Sequence, residues 1–391
     1  MIHLLVVILL AASQPITALS ADFTSYQQEL IEQALRARLA EEREWRLLLH
    51  YKTDWLGRLV SEEDDPGFFL SPRGKYDPEA ELEATIRAFF SAEPVGRSQQ
   101  PAQCAFIARY HWLKERLHFD DQRLAPLACE RYHRWRAELN PEGVSLIFPA
   151  AFLNNPASMF GHTFLRIDQQ GQTEHTRLLA YTIEYAADVP PQAGVEYAFK
   201  GIFGGYKGFF STPPYYLKVQ AYRDIENRDM WEYRLNLSPS QVDRLLLHAW
   251  EMGNAYFDYF FFKENCSYHI LSLLEYANPA LHLRDRFRFW TIPADTVRAL
   301  VDHPGLVLDA TYRPSRSTII KRKRALFVAD EWKMAKRLME DPTAVADPSF
   351  AALPMARQAF VLDVVSDYLR YKNESDDPET TTYRERLRHV L

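Results

Sequence analysis

The spacing of apolar residues predicts a helical first part of the chain. Helices are predicted over four stretches: 23–52, 77–90, and the segments around Cys104 and Cys129. In the first of them apolar side chains recur about every 3.6 residues, the period of an amphipathic helix. Ser61 and the acidic run 62–65, followed by Pro66-Gly67, predict a polar loop. We interpret residues 21–140 as a helical domain whose charged runs are solvated helix faces.

From Pro141 onward the pattern changes to short apolar runs typical of strands. Strands are predicted over 144–148, 162–168, 177–187, 218–222 and 231–237. The turn 169–172 predicts that 162–168 and 177–187 form a hairpin. Folding that hairpin about Gln170 places Leu178 opposite His162 (2 × 170 − 162 = 178).

Helices and one long loop complete the predicted elements. Ser238 followed by Pro239 and Gln241 is a helix-start signature, and that helix runs to about Met252. Further helices are predicted from about Asn265 to Leu274, over 330–339 and over 356–371. The segment 203–216 is rich in glycine and aromatic residues and contains Pro213-Pro214, which predicts a surface loop with exposed apolar side chains.

Composition and the first residues restrict partner and compartment. The net charge is −6 and no domain-sized basic block is present, which argues against nucleic acid as the partner. The apolar run Leu4–Ala12, followed by Ala18-Leu19-Ser20-Ala21, predicts a signal peptide over 1–20 and export. An uncleaved N-terminal anchor is the alternative, although the run is too short to span a membrane.

The cysteine count singles out one thiol. The chain has three cysteines, Cys104, Cys129 and Cys266. In an oxidising compartment the first two are candidates for a disulfide within the helical region, which leaves Cys266 as the odd one. The alternative is that all three are buried structural cysteines.

Cys266 stands where a helix is predicted to begin. Asn265 is a favoured N-cap residue, and apolar residues follow from Ile270. The unpaired N–H groups and the dipole of a helix N-terminus lower a thiol's pKa and favour the nucleophilic thiolate. The same N–H groups can stabilise the oxyanion of an acyl intermediate. Cys266 is therefore the candidate nucleophile.

His162 is the candidate base. It follows the loop Asn154–Gly161 and begins a predicted strand, which would hold the imidazole rigidly. The alternative is a strand-end histidine that is bonded to a local carbonyl group. Without Cys266 that alternative would be the better interpretation.

Two motifs carry a resemblance to a known family. NPASMFGHTFLRI, followed 104 residues later (266 − 162) by FFKENCSY, resembles the Lnb N-terminal periplasmic domain family. The N-C-x-x-H/Y pattern is also similar to lecithin:retinol acyltransferases. The resemblance implies an α+β fold with a permuted papain-like core over 141–280, in which an antiparallel sheet packs on the Cys-bearing helix. It also implies helical N- and C-terminal additions, the latter over 281–391, and the order His162 before Cys266 fits the permuted form.

The resemblance also implies a reaction class and a compartment. Cys266 would accept an acyl chain from a phospholipid as a thioester, and His162 would serve as base for transfer to an amine such as a lipoprotein N-terminus. Such an enzyme works in the periplasm without a cofactor. Peripheral contact with the membrane is expected from the aromatic segment 203–216, for which ordinary packing onto the domain is an equal alternative.

The remaining site residues are expectations of the same kind. Substrate is expected to contact Asn155, Ser158, Asn265, Phe209 and Tyr215. A residue that orients His162 is sought on the return strand, where the candidates are Tyr181, Thr182 and Glu184, with His175 less well placed. The family often has Ser where this chain has Ala180 and Asn where it has Glu184, which leaves the orienting residue open.

Two other functions remain open. One is a cysteine amidase or peptidase that acts on cell-wall peptides, and the other is a non-catalytic envelope module that binds lipid. No metal-binding or phosphate-loop motif is present, so no metal is expected. The basic run 321–324 is expected to be a solvated edge, and His269 is expected on the surface of its helix.

Overall fold

The computed structural model describes residues 14–151, 160–189, 195–374 and 386. The α-helices are α1 (Gln14–Arg36), α2 (Arg43–Leu48), α3 (Pro78–Phe89), α4 (Ala102–Ala105), α5 (Ile107–Leu117), α6 (Glu130–Leu139), α7 (Val195–Phe203), α8 (Tyr215–Val219), α9 (Pro239–Met252), α10 (Cys266–Ala277), α11 (Pro293–Val301), α12 (Arg316–Arg324), α13 (Ala329–Glu340), α14 (Pro348–Ala351) and α15 (Met355–Glu374). The strands are β1 (Tyr51–Thr53), β2 (Leu59–Ser61), β3 (Pro94–Val95), β4 (Gln100–Pro101), β5 (Pro141–Pro149), β6 (Phe164–Gln169), β7 (Tyr181–Ala187), β8 (Tyr206–Ser211), β9 (Met230–Leu235), β10 (Tyr256–Tyr259) and β11 (Val307–Arg313).

The mixture of helices and antiparallel strands confirms the α+β class. Strands predicted over 144–148, 162–168 and 231–237 correspond to β5, β6 and β9. The helix predicted from Ser238 is α9, and its start is a complete capping box: Ser238 accepts from the Gln241 N–H, and the Gln241 side chain accepts from the Ser238 N–H.

Two predictions between residues 203 and 222 were wrong. The expected loop 203–216 contains β8, whose residues alternate between buried and exposed and pair with β10, and it ends in the start of α8. Pro214 is the N-cap of α8, a position that tolerates proline because no intrahelical N–H is needed there. The expected strand 218–222 is helical instead, since α8 continues into a π-helical turn over Gln220–Ile225.

The chain forms two compact units. The first comprises Met1–Pro141, Tyr185–Ser211 and Leu237–Trp290, and the second comprises Glu142–Glu184, Thr212–Asn236 and Thr291–Leu391. The domain boundaries predicted from the sequence, near 140 and 280, stay predictions.

The first unit is held by a helical core, a disulfide and buried charge. Cys104 and Cys129 are joined by a disulfide, as the parity of the cysteines suggested. The Arg109 guanidinium is fully buried, donates to Glu81 at 3.0 Å and lies about 4 Å from the centres of two phenylalanine rings. Glu81 and Arg109 lie on α3 and α5, so the charges of these helices are not all on solvated faces, contrary to the prediction.

The second unit is built on strands in the order β7-β6-β5-β9-β11. The pairs β6–β7, β5–β9 and β9–β11 are all antiparallel. Ile147, Phe164, Tyr215 and Met230 form its core beside the strands. A second core joins α13 to α15 through buried residues such as Leu338, Val361 and Val365. In the ranges given above, none of the helices is both long and apolar enough to cross a membrane.

Candidate functional site

Cys266 is the first residue of α10, and its helix start is built by Asn265. The Asn265 Oδ1 accepts from the Ser267 N–H at 3.1 Å and from the Tyr268 N–H at 3.3 Å, as an N-cap does. The Asn265 amide also donates to the Phe261 carbonyl oxygen at 3.0 Å, which fixes the loop that precedes the helix. The Cys266 N–H donates to the Tyr259 hydroxyl at 3.3 Å. The helix start predicted from the sequence is therefore present.

Aromatic rings enclose the first turns of this helix. Tyr259 stacks on Tyr185 with ring centroids 5.4 Å apart, and Tyr185 contacts His269 at 4.3 Å. Cys266 is 1% exposed, so a substrate reaches it only if the groups around it move. Gly208 lies against Tyr185 so closely that an added Cβ would meet the phenolic oxygen at 2.0 Å. This glycine allows β8 to pack on the ring.

A charged network surrounds the first turn of α10. Lys52 Nζ donates to Glu62 at 2.7 Å and to Glu264 at 2.6 Å, and the Tyr268 hydroxyl donates to the same Glu62 Oε1 at 2.6 Å. Arg284 bonds the other Glu62 oxygen at 3.1 Å. Burial raises the pKa of Glu62, but Lys52 and Arg284 outweigh burial and hold that pKa below its ordinary value. The predicted polar loop that contains the acidic run 62–65 is thus largely buried, since Glu62, Glu63 and Asp65 are all buried.

The prediction for His269 was wrong, because this residue is 0% exposed. It lies in the core of the first unit with His50 and His248, whose rings stack at 5.2 Å. The ring of His50 is 6.2 Å from that of His269. Burial lowers the pKa of His248 and of His269 to about 3, and that of His50 well below its ordinary value. Among the described residues, no partner bonds either ring nitrogen of His248 or His269.

His162 lies in the second unit, just before β6. Its N–H donates to the Pro149 carbonyl oxygen at 3.3 Å, and its ring lies 5.8 Å from the Tyr222 ring. The residue is buried, and its Nε2 has no hydrogen-bond partner within the described ranges. Burial, then Arg228 and Lys218, lower the pKa of His162 to about 3, so the imidazole is neutral near pH 7.

Gly161 explains how His162 is placed. It has φ +95°, and an added Cβ would meet the Phe148 ring at 2.4 Å. The chain therefore turns into β6 directly over β5, at a point where a larger residue would not fit.

The hairpin register differs from the prediction. Tyr181 pairs with Ile167 and Thr182 with Arg166, so continuing this register brings position 186, not 178, opposite His162 (166 + 182 − 162 = 186). The difference arises because a 3-10 turn over Thr176–Leu179 lengthens the connection. His175 lies at the start of that turn.

This register separates Tyr181 from His162. Tyr181 lies about 16 Å along the strand from the level of His162, five residues at about 3.3 Å each, and on the other face of the sheet. Thr182 and Glu184 share the face of His162 by alternation, but Thr182 Oγ1 is bonded to the Pro213 carbonyl oxygen at 2.8 Å. Glu184 pairs with Lys218 at 2.6 Å. The structure therefore brings Glu184, rather than Tyr181, toward the end of β6 where His162 lies.

Arg166 and Asp168 lie on β6, on the face that alternation from His162 predicts, and they line a polar cavity of about 400 Å³. Arg166 donates to Asp168 at 2.7 Å and to Glu232 at 2.5 Å. Burial raises the pKa of Glu232, but Arg166 and Arg313 outweigh it and lower this pKa to about 2. Arg177, Arg234 and Asp309 add charge to the cavity wall. No sequence motif predicted this group, because its members come from four separate segments.

The other predicted substrate-binding residues, apart from Asn265, do not lie together in one site. Asn155 and Ser158 lie outside the described residues. Phe209 is half-buried on β8, opposite Tyr256, with the Arg97 guanidinium 4.8 Å from its ring centre. Tyr215 is fully buried in the second unit and donates to Glu232 at 2.8 Å, so its hydroxyl is already engaged within the protein. Within the described ranges, no group of three or more His, Cys, Asp or Glu residues is arranged to hold a metal ion.

Three family models match the chain. Residues 131–303 match the Lnb N-terminal periplasmic domain. Residues 37–116 match a domain of unknown function (DUF7843), and residues 310–391 match another (DUF7842). No curated protein and no solved structure matches.

Proposed function

We propose, from the match of residues 131–303 to the Lnb N-terminal periplasmic domain family, that the chain is a cysteine-dependent acyltransferase of the periplasm. The family description supports a periplasmic, envelope-related role. The observation that carries the proposal is the position of Cys266, the first residue of α10, beside the N-cap Asn265. A cysteine placed there gains the thiolate-stabilising dipole of the helix N-terminus.

The proposed reaction has two half-reactions. The Cys266 thiol gives its proton to the neutral His162 imidazole, and the sulfur attacks the ester carbonyl carbon of a phospholipid. The carbon–oxygen bond breaks, the lysophospholipid oxygen takes the proton from His162, and a Cys266 thioester remains. An amine, such as a lipoprotein N-terminus, then attacks the thioester while His162 takes its proton, and the carbon–sulfur bond breaks to restore Cys266.

This mechanism implies the permuted papain-like arrangement, with the His-bearing strand before the Cys-bearing helix. It also assigns an orienting role to a polar neighbour of His162. Glu184 fits that role better than Tyr181, because the register of β6 and β7 places Glu184 on the same face of the sheet as His162.

Intact-mass spectrometry tests the proposal. Wild type, Cys266→Ala and His162→Ala are incubated with phospholipid vesicles, with an amine-free buffer to stop the reaction at the thioester. A hydroxylamine-labile adduct of acyl mass on wild type alone is the expected result. A parallel sample of the wild type is treated with iodoacetamide, to check that it is folded and that its Cys266 is reactive. If that check succeeds and the untreated wild type still forms no adduct, acyl transfer is contradicted.

A second candidate is a cysteine amidase or peptidase acting on cell-wall peptides. The polar cavity along β6 favours it, since paired arginine and carboxylate groups suit a charged peptide better than an acyl chain. Cleavage of muropeptides by wild type but not by Cys266→Ala, without any acyl adduct, would support this candidate over the first.

A further inference from the structure

Three groups of large apolar side chains are exposed on the first unit. Trp55, with 89% of its surface exposed, stands at the turn between β1 and β2. Phe199 and Phe203 are exposed on α7, and their rings lie 4.6 Å apart. Phe289, 83% exposed, and Trp290 follow the short 3-10 turn Arg284–Arg286. Aromatic side chains exposed in groups on a folded protein commonly mark a surface that contacts something else.

The Trp55 turn is ordered rather than frayed. Asp54 Oδ1 accepts from the N–H groups of Leu56 and Arg58 at 2.8 Å each, and the Asp54 N–H donates to the Arg58 carbonyl oxygen. Gly57 has φ +78°, the conformation that closes this turn. The ordered turn therefore keeps the Trp55 ring exposed to solvent. This exposure is unfavourable unless a binding partner buries the ring.

Two glycines allow the C-terminal end of α7 to pack closely against the loop 260–265. An added Cβ at Gly201 would meet the Phe261 ring at 2.2 Å, and one at Gly204 would meet the Phe260 ring at 2.3 Å. The Phe261 N–H donates to the Gly201 carbonyl oxygen at 2.7 Å. With this side packed, the exposed rings of Phe199 and Phe203 face outward.

Two of the three groups are tied to the loop 260–265, which leads into Cys266, and the third is tied to Glu62, which shares Lys52 with that loop. Helix α7 reaches it through Phe260 and Phe261, as described. Strand β1 reaches it through the Lys52–Glu264 ion pair, three residues or about 10 Å from Trp55. Arg284 bonds Glu62, the partner of Lys52, and lies five residues, at most about 18 Å, from Phe289.

Basic side chains are interleaved with these rings. Arg286 and Arg288 alternate with Phe287 and Phe289, and both arginines are exposed. Lys263 is exposed on the loop 260–265 itself. Aromatic and basic side chains together are the composition that suits the interface of a bilayer with anionic headgroups.

We propose that Trp55, Phe199, Phe203, Phe289 and Trp290 form a docking rim that seats the first unit on an anionic lipid bilayer. Separate aromatic points, with Arg286 and Arg288 beside one of them and Lys263 on the loop, suit a fluid headgroup layer, whereas a protein partner would call for one continuous packed patch. The role of the rim in catalysis rests on the proposed function, because docking would bring lipid to the loop beside Cys266. Binding of the rim to a bilayer does not itself require acyl transfer.

Vesicle flotation of the full chain tests the rim. The background is Cys266→Ala, so that acyl transfer plays no part in the result. Vesicles of phosphatidylcholine containing phosphatidylglycerol are compared with phosphatidylcholine alone. We expect preference for the anionic vesicles, and loss of partition by about tenfold or more in Trp55→Ser/Phe289→Ser/Trp290→Ser.

The matched control is Leu308→Ser/Met355→Ser, which removes two exposed apolar side chains of the second unit. It should float like the parent. The rim is overturned if the parent binds neither kind of vesicle, if the rim variant floats like the parent, or if the rim variant instead abolishes a dimer seen by sedimentation. If the parent floats as expected while wild type forms no acyl adduct, the proposed function fails and the rim stands.

Discussion

The Tyr268 hydroxyl donates to Glu62 at 2.6 Å, across 206 residues of sequence. Tyr268 is on the first turn of α10, two residues after Cys266, and Glu62 comes from the segment that matches the first domain of unknown function. Lys52 and Arg284 complete the charge balance of this buried carboxylate. The N-terminal segment therefore supports the helix start that carries the proposed nucleophile.

Replacing Glu62 should destabilise the first unit. Glu62→Gln keeps an acceptor for Tyr268 but leaves the charge of Lys52 and Arg284 less compensated inside the protein. We expect a loss of about 3 kcal/mol in the free energy of unfolding, measured by urea denaturation. The control is Glu83→Gln, which breaks an i,i+4 pair with Arg87 on the surface and should cost no more than about 0.5 kcal/mol. Equal effects of the two variants would contradict the supporting role of Glu62.

Asn265 should tune the reactivity of Cys266. In Asn265→Ala the N–H groups of Ser267 and Tyr268 lose their acceptor, and the cap contributes about 1 kcal/mol to stability. We expect the rate of Cys266 alkylation by iodoacetamide in wild type to inflect below the value of about 8.5 for an isolated thiol. In the variant the inflection should move upward.

Ser238→Ala is the control for Asn265→Ala. It removes the N-cap of α9, which is exposed and lies on another helix, so it should cost a similar amount of stability. It should leave the alkylation profile of Cys266 unchanged. An identical shift in both variants would mean that the profile reports general loosening and not the cap.

Local sequence signals predicted the helix start well. Asn265 before Cys266, and Ser238 with Gln241, each act within one turn of chain, so their chemistry can be read from neighbouring residues. The disulfide between Cys104 and Cys129 followed from parity and compartment.

Contacts between distant segments could not be predicted in the same way. Glu62 stands in an acidic run typical of a solvated loop. Its burial is favourable only because Lys52, Tyr268 and Arg284, from other segments, bond its carboxylate. His50 and His248 gave no motif either. The hairpin register failed for a local reason: the 3-10 turn Thr176–Leu179 is not visible in the strand pattern, and it moved the position opposite His162 by eight residues, from 178 to 186.

Gly161→Ala should disturb the approach to His162. The new Cβ would meet the Phe148 ring at 2.4 Å and would sit on a residue with φ +95°. Gly171→Ala is the matched control, since Gly171 also has a positive φ, +69°, but has open space around its Cα. We expect Gly161→Ala to lower the free energy of unfolding by about 2 kcal/mol more than the control, because overpacking adds to the backbone strain. Acyl-adduct formation should fall only in Gly161→Ala, and equal behaviour of both variants would show that the Phe148 contact is unimportant.

The buried histidines should make stability depend on pH. Burial lowers the pKa of His248 to about 3, whereas the unfolded chain titrates near 6.5, so below pH 6.5 the unfolded state binds a proton that the folded state does not. Stability is therefore retained above pH 6.5 and lost as the pH falls toward 3, by about 1.4 kcal/mol per pH unit for each such histidine.

His248→Phe keeps a ring against His50 and Tyr276 and removes the titrating group. Its advantage over wild type in urea denaturation should grow from pH 7 to pH 5, while His175→Phe, at an exposed position, should show no such growth. A constant difference between His248→Phe and wild type across this range would mean that His248 titrates normally in the folded protein.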